Sequence, residues 1–118
     1  MAIRANIGLA TTDLAAVSTD TVVFNQASRC SITGASLHNT LSAGDREVFF
    51  YESPNLTSAS GKRIGVYTVA PGARTDVSSI IGQGYNSDQN IIAVQQTGAS
   101  ALGDLNIKIS YIEYTGGD

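Results

Sequence analysis

The chain has 118 residues, one cysteine, one histidine and a formal net charge of -3, a length that suits one compact domain. The acidic balance weighs against nucleic-acid binding, which needs a basic face to neutralise phosphates. Cys30 has no partner for an internal disulfide, His38 rules out a multi-histidine metal site, and no apolar run reaches the length of a membrane span.

Hydrophobic residues make up 42% of the chain and charged residues only 14%, so the polar surface is supplied mainly by Ser, Thr and Gly. Hydroxyls and glycine backbone cost less to desolvate than charges do. The composition therefore leans towards a protein that assembles with others, and its short side chains point to strands and turns.

Arg4, Asn6 and the Thr11-Thr12-Asp13 cluster interrupt the apolar residues of the N-terminal stretch, so no secretory leader is read there, and the Asn55-Leu56-Thr57 sequon is read as accidental. Within residues 1–20, Leu14 to Val17 reads as a short strand. The remainder reads as an extended arm, with Ile3, Ile7 and Leu9 as anchors on a neighbouring subunit. An ordinary edge strand is the competing reading, and residues 21–118 form the domain proper.

Thr21 to Phe24 is the next strand, followed by Arg29 to Asn39. Strict alternation along the latter puts Cys30, Ile32, Gly34 and Ser36 on one face, with Ala35 and Leu37 on the other. Ser42-Ala43-Gly44-Asp45 reads as a hairpin loop. Glu47 to Glu52 is a short aromatic strand whose Val48, Phe49, Phe50 and Tyr51 must point to both faces, and Pro54 ends it. Lys62 to Val69 alternates cleanly. Ala70-Pro71-Gly72 suits a type II turn. Asp76 to Ile81 reads as a short strand or a helical turn, and Asn90 to Gln96 as a strand.

The last strand, Asp104 to Tyr114, is the clearest. Leu105, Ile107, Ile109 and Tyr111 share one face; Asn106, Lys108 and Ser110 share the other, joined at its end by Ile112 and Tyr114. Strands at this spacing predict an all-β, single antiparallel β-sandwich of jelly-roll type.

Chemistry is sparse. His38 has no Gly-x-Ser-x-Gly elbow or second histidine to work with, and Cys30 lacks the surroundings of a reactive thiolate. Gly82-Gln83-Gly84 misses the third glycine of a dinucleotide loop. Residues 86–90 lack the bidentate acid of a calcium loop. Asp13 with Asp20, and Asp45 with Glu47, read as turn and edge carboxylates. Lys62-Arg63 reads as edge protection. No catalytic, cofactor or metal site is expected.

The run Ser31-Ile32-Thr33-Gly34-Ala35-Ser36-Leu37-His38-Asn39-Thr40, then Val48-Phe49-Phe50-Tyr51, Val69-Ala70-Pro71-Gly72-Ala73-Arg74-Thr75, Ile80-Ile81-Gly82-Gln83 and Ile107 to Tyr114 resembles small virion structural proteins of tailed bacteriophages. The resemblance covers roughly residues 29–114 and implies a non-enzymatic β-sandwich in the virion, assembled in the host cytoplasm.

The leading expectation is a capsid decoration, or cement, protein that binds other capsid proteins. Shell symmetry suggests a homo-oligomer, a trimer by analogy. Ile3, Ile7, Leu9, Ile112 and Tyr114 are the candidate interface residues. A tail, neck or baseplate component is the alternative, and a carbohydrate-binding adsorption module a more distant one. Neither nucleic acid nor membrane is expected as a partner.

Overall fold

Period-two alternation along the last strand fixes the frame of the fold. In the computed structural model, which describes residues 3–26, 28–85, 89–96 and 104–116, Leu105, Ile107 and Ile109 are fully buried while Lys108 is exposed. Among the described residues nine strands form: β1 (Ile3–Asp13), β2 (Asp20–Phe24), β3 (Arg29–Asn39), β4 (Arg46–Ser53), β5 (Lys62–Val69), β6 (Arg74–Asp76), β7 (Gly84–Tyr85), β8 (Asn90–Gln95) and β9 (Leu105–Gly116). A 3-10 turn, Ser58–Ser60, follows β4.

The strands build two antiparallel sheets. The first has the order β1-β9-β3-β6, with β7 beside β6 on the same edge of β3; the second has the order β2-β8-β4-β5. The chain alternates between the sheets so that its first and last long strands lie side by side in one of them. That winding is a jelly roll, and the sandwich expected from the strand spacing is the architecture found.

Between the sheets lie Val48, Phe50, Ile91 and Ala93 from the second and Ile32, Leu37, Ile107 and Ile109 from the first, all in one hydrophobic cluster. Val77 and Ile80, on the loop between β6 and β7, are also fully buried. Residues 77–81 are neither strand nor helix. They are turns, held by the Val77 N–H donating to Ala35 O and the Ile80 N–H donating to Val77 O.

Four further expectations are corrected. The N-terminal stretch is not an extended arm. Residues 3–13 are edge strand β1, paired with β9 over their whole length from Ile3↔Gly116 to Asp13↔Asn106. Leu14 to Val17, read as a strand, instead leads into a turn, and Leu14 is a fully buried core residue.

In β3, the register with β9 slips between Ile32 and Gly34. This bulge returns Ala35 and Leu37 to the buried face that Cys30 and Ile32 occupy, where strict alternation had separated them. Finally, the 42–45 loop does not close a hairpin: it carries the chain from one sheet to the other, with Gly44 at φ 93°.

The turn at residues 70–73 follows its glycine. Gly72 adopts φ 70° in the turn closed by Ala73 N–H to Ala70 O, 3.0 Å, and positive φ at the third turn position is what a type II turn requires. Asn39, fully buried at the end of β3, staples the crossings together. Its amide nitrogen donates to Gly44 O and Val69 O, both at 3.0 Å, and its side-chain oxygen accepts from the Leu41 N–H at 3.1 Å. Nothing in the pattern of apolar residues marked it.

Candidate interaction surface

Each sheet has an outer face, and both carry apolar side chains. In the first sheet, the partners of the buried Ile109 and Ile107 are Ala10 and Thr12. Even-numbered residues of β1 therefore face the core and odd-numbered ones face outward. Ile7 stands opposite Ile112, and Leu9 and Tyr114 lie two positions away along the same outward row. Ile7 is 90% exposed and Leu9 68% exposed.

The structure thus brings four of the five expected interface residues, Ile7, Leu9, Ile112 and Tyr114, onto one face. Ile3 lies on the same strand, opposite Gly116, and its side chain is outside the described residues. Arg29 on β3 stands over the Tyr114 ring, 5.6 Å from its centroid, and keeps that end of the patch polar at its rim.

The patch is flat because its underside is filled. Gly8 faces inward opposite Tyr111, and the Tyr111 ring lies directly over it, where a Cβ on residue 8 would sit only 2.2 Å from the ring. Tyr111 then meets Phe24 edge-on, with ring centroids 5.2 Å apart. Beside the patch a shallow groove of about 330 Å³ opens between Leu9, Gly34, Ile81 and Lys108, over the β3 bulge. There the Thr33 hydroxyl donates to Ser110 Oγ at 3.1 Å.

The outer face of the second sheet is closed differently. Ile92 and Val94 of β8 point outward but are almost fully buried, flanked by Tyr51 and Phe49 on β4. Arg63 on edge strand β5 lies over Phe49, 4.8 Å from the ring centroid, so the expected edge-protecting cation also covers an aromatic ring. The four large residues of β4 do point both ways: Val48 and Phe50 inward at 0% exposure, Phe49 and Tyr51 outward and half-buried.

The residues considered for chemistry are scattered. His38 lies half-buried on the outer row of β3, opposite Arg74 and Asn106. Cys30 is buried beneath the first sheet, and burial, with the Glu113 charge adding to it, pushes its thiol above the usual range, the opposite of activation. Asp20 accepts hydrogen bonds from the Ser58 N–H at 2.8 Å and hydroxyl at 2.6 Å. Gly82, at φ 82°, serves a turn closed by the Gln83 N–H on Ile80 O.

Of the 86–90 loop, residues 86–88 lie outside the described residues; the Gln89 amide donates to Glu52 Oε1 at 3.0 Å. Among the described residues no cluster of three metal-ligating groups occurs, and no helix is long and apolar enough to cross a membrane.

One cleft sits apart from the patch, with a volume of about 350 Å³ between Glu52, Ile64, Ser79, Gln83 and Tyr85. Burial, and secondarily the Glu52 charge, pushes the Tyr85 phenol up to about 12. Burial alone would also raise the nearby Tyr67 phenol. The Ser79 N–H donates to its oxygen at 2.8 Å, and with the Ser78 and Ser79 hydroxyls this outweighs burial and lowers it.

No family model and no curated protein sequence matches the chain. Among solved structures, one of Bacillus endospore appendages, described as a novel family of disulfide-linked pili, matches with a TM-score of 0.55 and 12% identity. The alignment covers 99% of this chain and 93% of that one. At this identity the likeness shows a shared all-β fold. Infectious bursal disease virus structures of the Gx and Gt strains align with TM-scores of 0.37 and 0.30, at 14% and 13% identity. They cover 97% and 98% of this chain but 38% of each viral chain, and are too loose to define a common fold.

Proposed function

We propose that the protein is a non-enzymatic structural subunit of a virion surface, a decoration protein that binds an outer shell and ties neighbouring shell subunits together. The observation that carries this reading is the outward row on β1 and β9, where Ile7 and Leu9 are 90% and 68% exposed beside Ile112. A sheet face that spends large aliphatic residues on water is a contact surface in waiting. The low charge of the chain keeps the cost of desolvating such a face small. Each contact is modest, and many copies on a repeating lattice add up through multivalency.

A trimer at three-fold positions is the arrangement that shell analogy suggests; the free edge of β1 argues instead for a two-fold contact between copies. A filament subunit is the second reading, favoured by the fold shared with the pilus structure over nearly the whole chain.

The test is location and copy number. An antibody raised against the full chain should label the shells of purified virions, and quantitative mass spectrometry should count hundreds of copies per particle. A handful of copies moves the protein to the neck, tail or baseplate. Labelling of filaments with none on particles overturns the virion reading.

A further inference from the structure

The edge of β1 is as informative as its face. The Leu14 N–H donates to Leu105 O at 2.9 Å, and this pair continues the register in which Asp13 opposes Asn106. Backbone groups alternate sides along a strand. Even-numbered residues of β1 therefore aim their N–H and C=O groups at β9. Ile3, Ala5, Ile7, Leu9, Thr11 and Asp13 aim theirs at the open edge. Among the described residues, no hydrogen bond reaches those outward groups.

Native edges are usually blunted by a proline, a lysine, a bulge or brevity. This one is 11 residues long, unbulged in its register with β9, and has no proline or lysine. The same residues that offer free backbone groups, Ile7 and Leu9, offer exposed aliphatic side chains.

We infer that β1 pairs antiparallel with β1 of a second copy of this chain, across a two-fold axis at Gly8. The sequence is complementary to itself in that register. Ile7 meets Leu9 of the second copy and Leu9 meets Ile7, each as a hydrogen-bonded pair, with both side chains on the outer face. Ala5 meets Thr11. Gly8, midway along β1, meets its own copy at the narrow, non-hydrogen-bonded spacing, where it brings no side chain to the seam and its inner side is covered by the Tyr111 ring of its own subunit. A second copy is favoured over a foreign strand because one sequence satisfies both sides, and an isologous contact closes at two.

The result is one continuous sheet through both subunits, with the aliphatic row doubled on its outer face. The seam does not rest on the virion reading: a monomeric protein that still labels particles would overturn the seam alone, and a dimer absent from particles would overturn the function alone.

The experiment is sedimentation of the full chain with two edge variants and a cysteine pair. The wild type should be a dimer at tens of micromolar. Leu9→Pro removes an outward N–H and leaves the bonds to β9 in place, and Ile7→Lys places a charge at the seam. Each should weaken dimerisation by about tenfold or more while circular dichroism stays that of the folded sheet.

Asn6→Cys with Ala10→Cys places thiols at a non-hydrogen-bonded pair, whose Cα spacing of about 4.5 Å lies within disulfide range. It should form a covalent dimer on mild oxidation. Asn6→Cys with Thr12→Cys, out of register by two residues, should not. A wild type that stays monomeric overturns the proposal, as does a dimer that both edge variants retain. Equal crosslinking of the two cysteine pairs also overturns it.

Discussion

Strands β8 and β1 are both rich in aliphatic residues, and the protein treats them in opposite ways. All six residues of β8 are buried, including Ile92 and Val94, which point away from the core. β8 is central, so neighbours on β2 and β4 shield even its outward side chains. β1 is an edge, with β9 on one side only, and its outward Ile7 and Leu9 stand in solvent. The same residue type is therefore buried in one strand and exposed in the other. Burial on the outer face follows from position in the sheet, not from hydrophobicity.

The strongest way to break this contrast is to remove β1. If it were a detachable arm, deleting residues 1–10 would leave a folded domain. Because it is a strand of the sandwich, its loss bares one edge of β9 and unseats Tyr111 from Gly8 and Phe24. The truncated chain should lose on the order of 4 kcal/mol or more, or fail to unfold cooperatively in urea. A melt within a few degrees of the intact protein would restore the arm.

Next come single buried residues. Ile107→Ala empties a site at 0% exposure in the centre of β9 and should cost about 2–4 kcal/mol in denaturant melts, through lost transfer energy and the cavity left behind. Lys108→Ala, one residue along on the exposed face, should stay within about 0.5 kcal/mol. The reverse ranking would mean that the strand's register is off by one.

That pair of residues shows what was legible in the sequence. β9 and β4 could be read because their side chains alternate along the strand; the alternation expected for Lys62 to Val69 breaks at a register slip against β4, which sets Ile64 with Tyr67 and Val69 against the core and leaves Val66 exposed. The jelly-roll class followed from strand spacing. The face of β3 could not be followed past Ile32, because a bulge is a backbone event: Thr33 and Gly34 carry no pattern that announces it, and only the pairing with β9 shows the slip. Asn39 was hidden for a related reason, since its value lies in carbonyls at Gly44 and Val69 that only the fold brings near.

For the candidate surface, Ile7, Leu9, Ile112 and Tyr114 were legible as apolar residues with no core to occupy. Their grouping needed the antiparallel pairing of the first and last strands, which are about 100 residues apart.

A smaller effect is expected from alkaline pH. The Tyr85 phenol is 3% exposed and is pushed up to about 12 from an ordinary value near 10. A group whose folded value is raised binds its proton more tightly in the folded state. The stabilisation is full below pH 10 and is lost as pH rises through 10 to 12. Its size is on the order of 2 kcal/mol. Tyr85→Phe should flatten that part of the stability profile measured by urea melts from pH 9 to 12, and an unchanged slope would show that other groups set it.

The smallest effect sharpens the contrast most. Threonine keeps the β-branched shape that suits a strand, so one substitution can be made in both strands with little change in backbone preference. Ile92→Thr removes buried carbon and introduces a hydroxyl at a site with 0% exposure, which should cost about 2–4 kcal/mol. Ile7→Thr takes away a side chain that is 90% exposed and should change the stability of the dilute protein by no more than about 0.5 kcal/mol. What it should change is attachment. Measured by pelleting with purified particles, the Ile7→Thr protein should bind more weakly than the wild type while melting at the same denaturant concentration. If Ile7→Thr destabilises the fold as Ile92→Thr does, the outer row belongs to the core, and its exposure has been misread as a surface for partners.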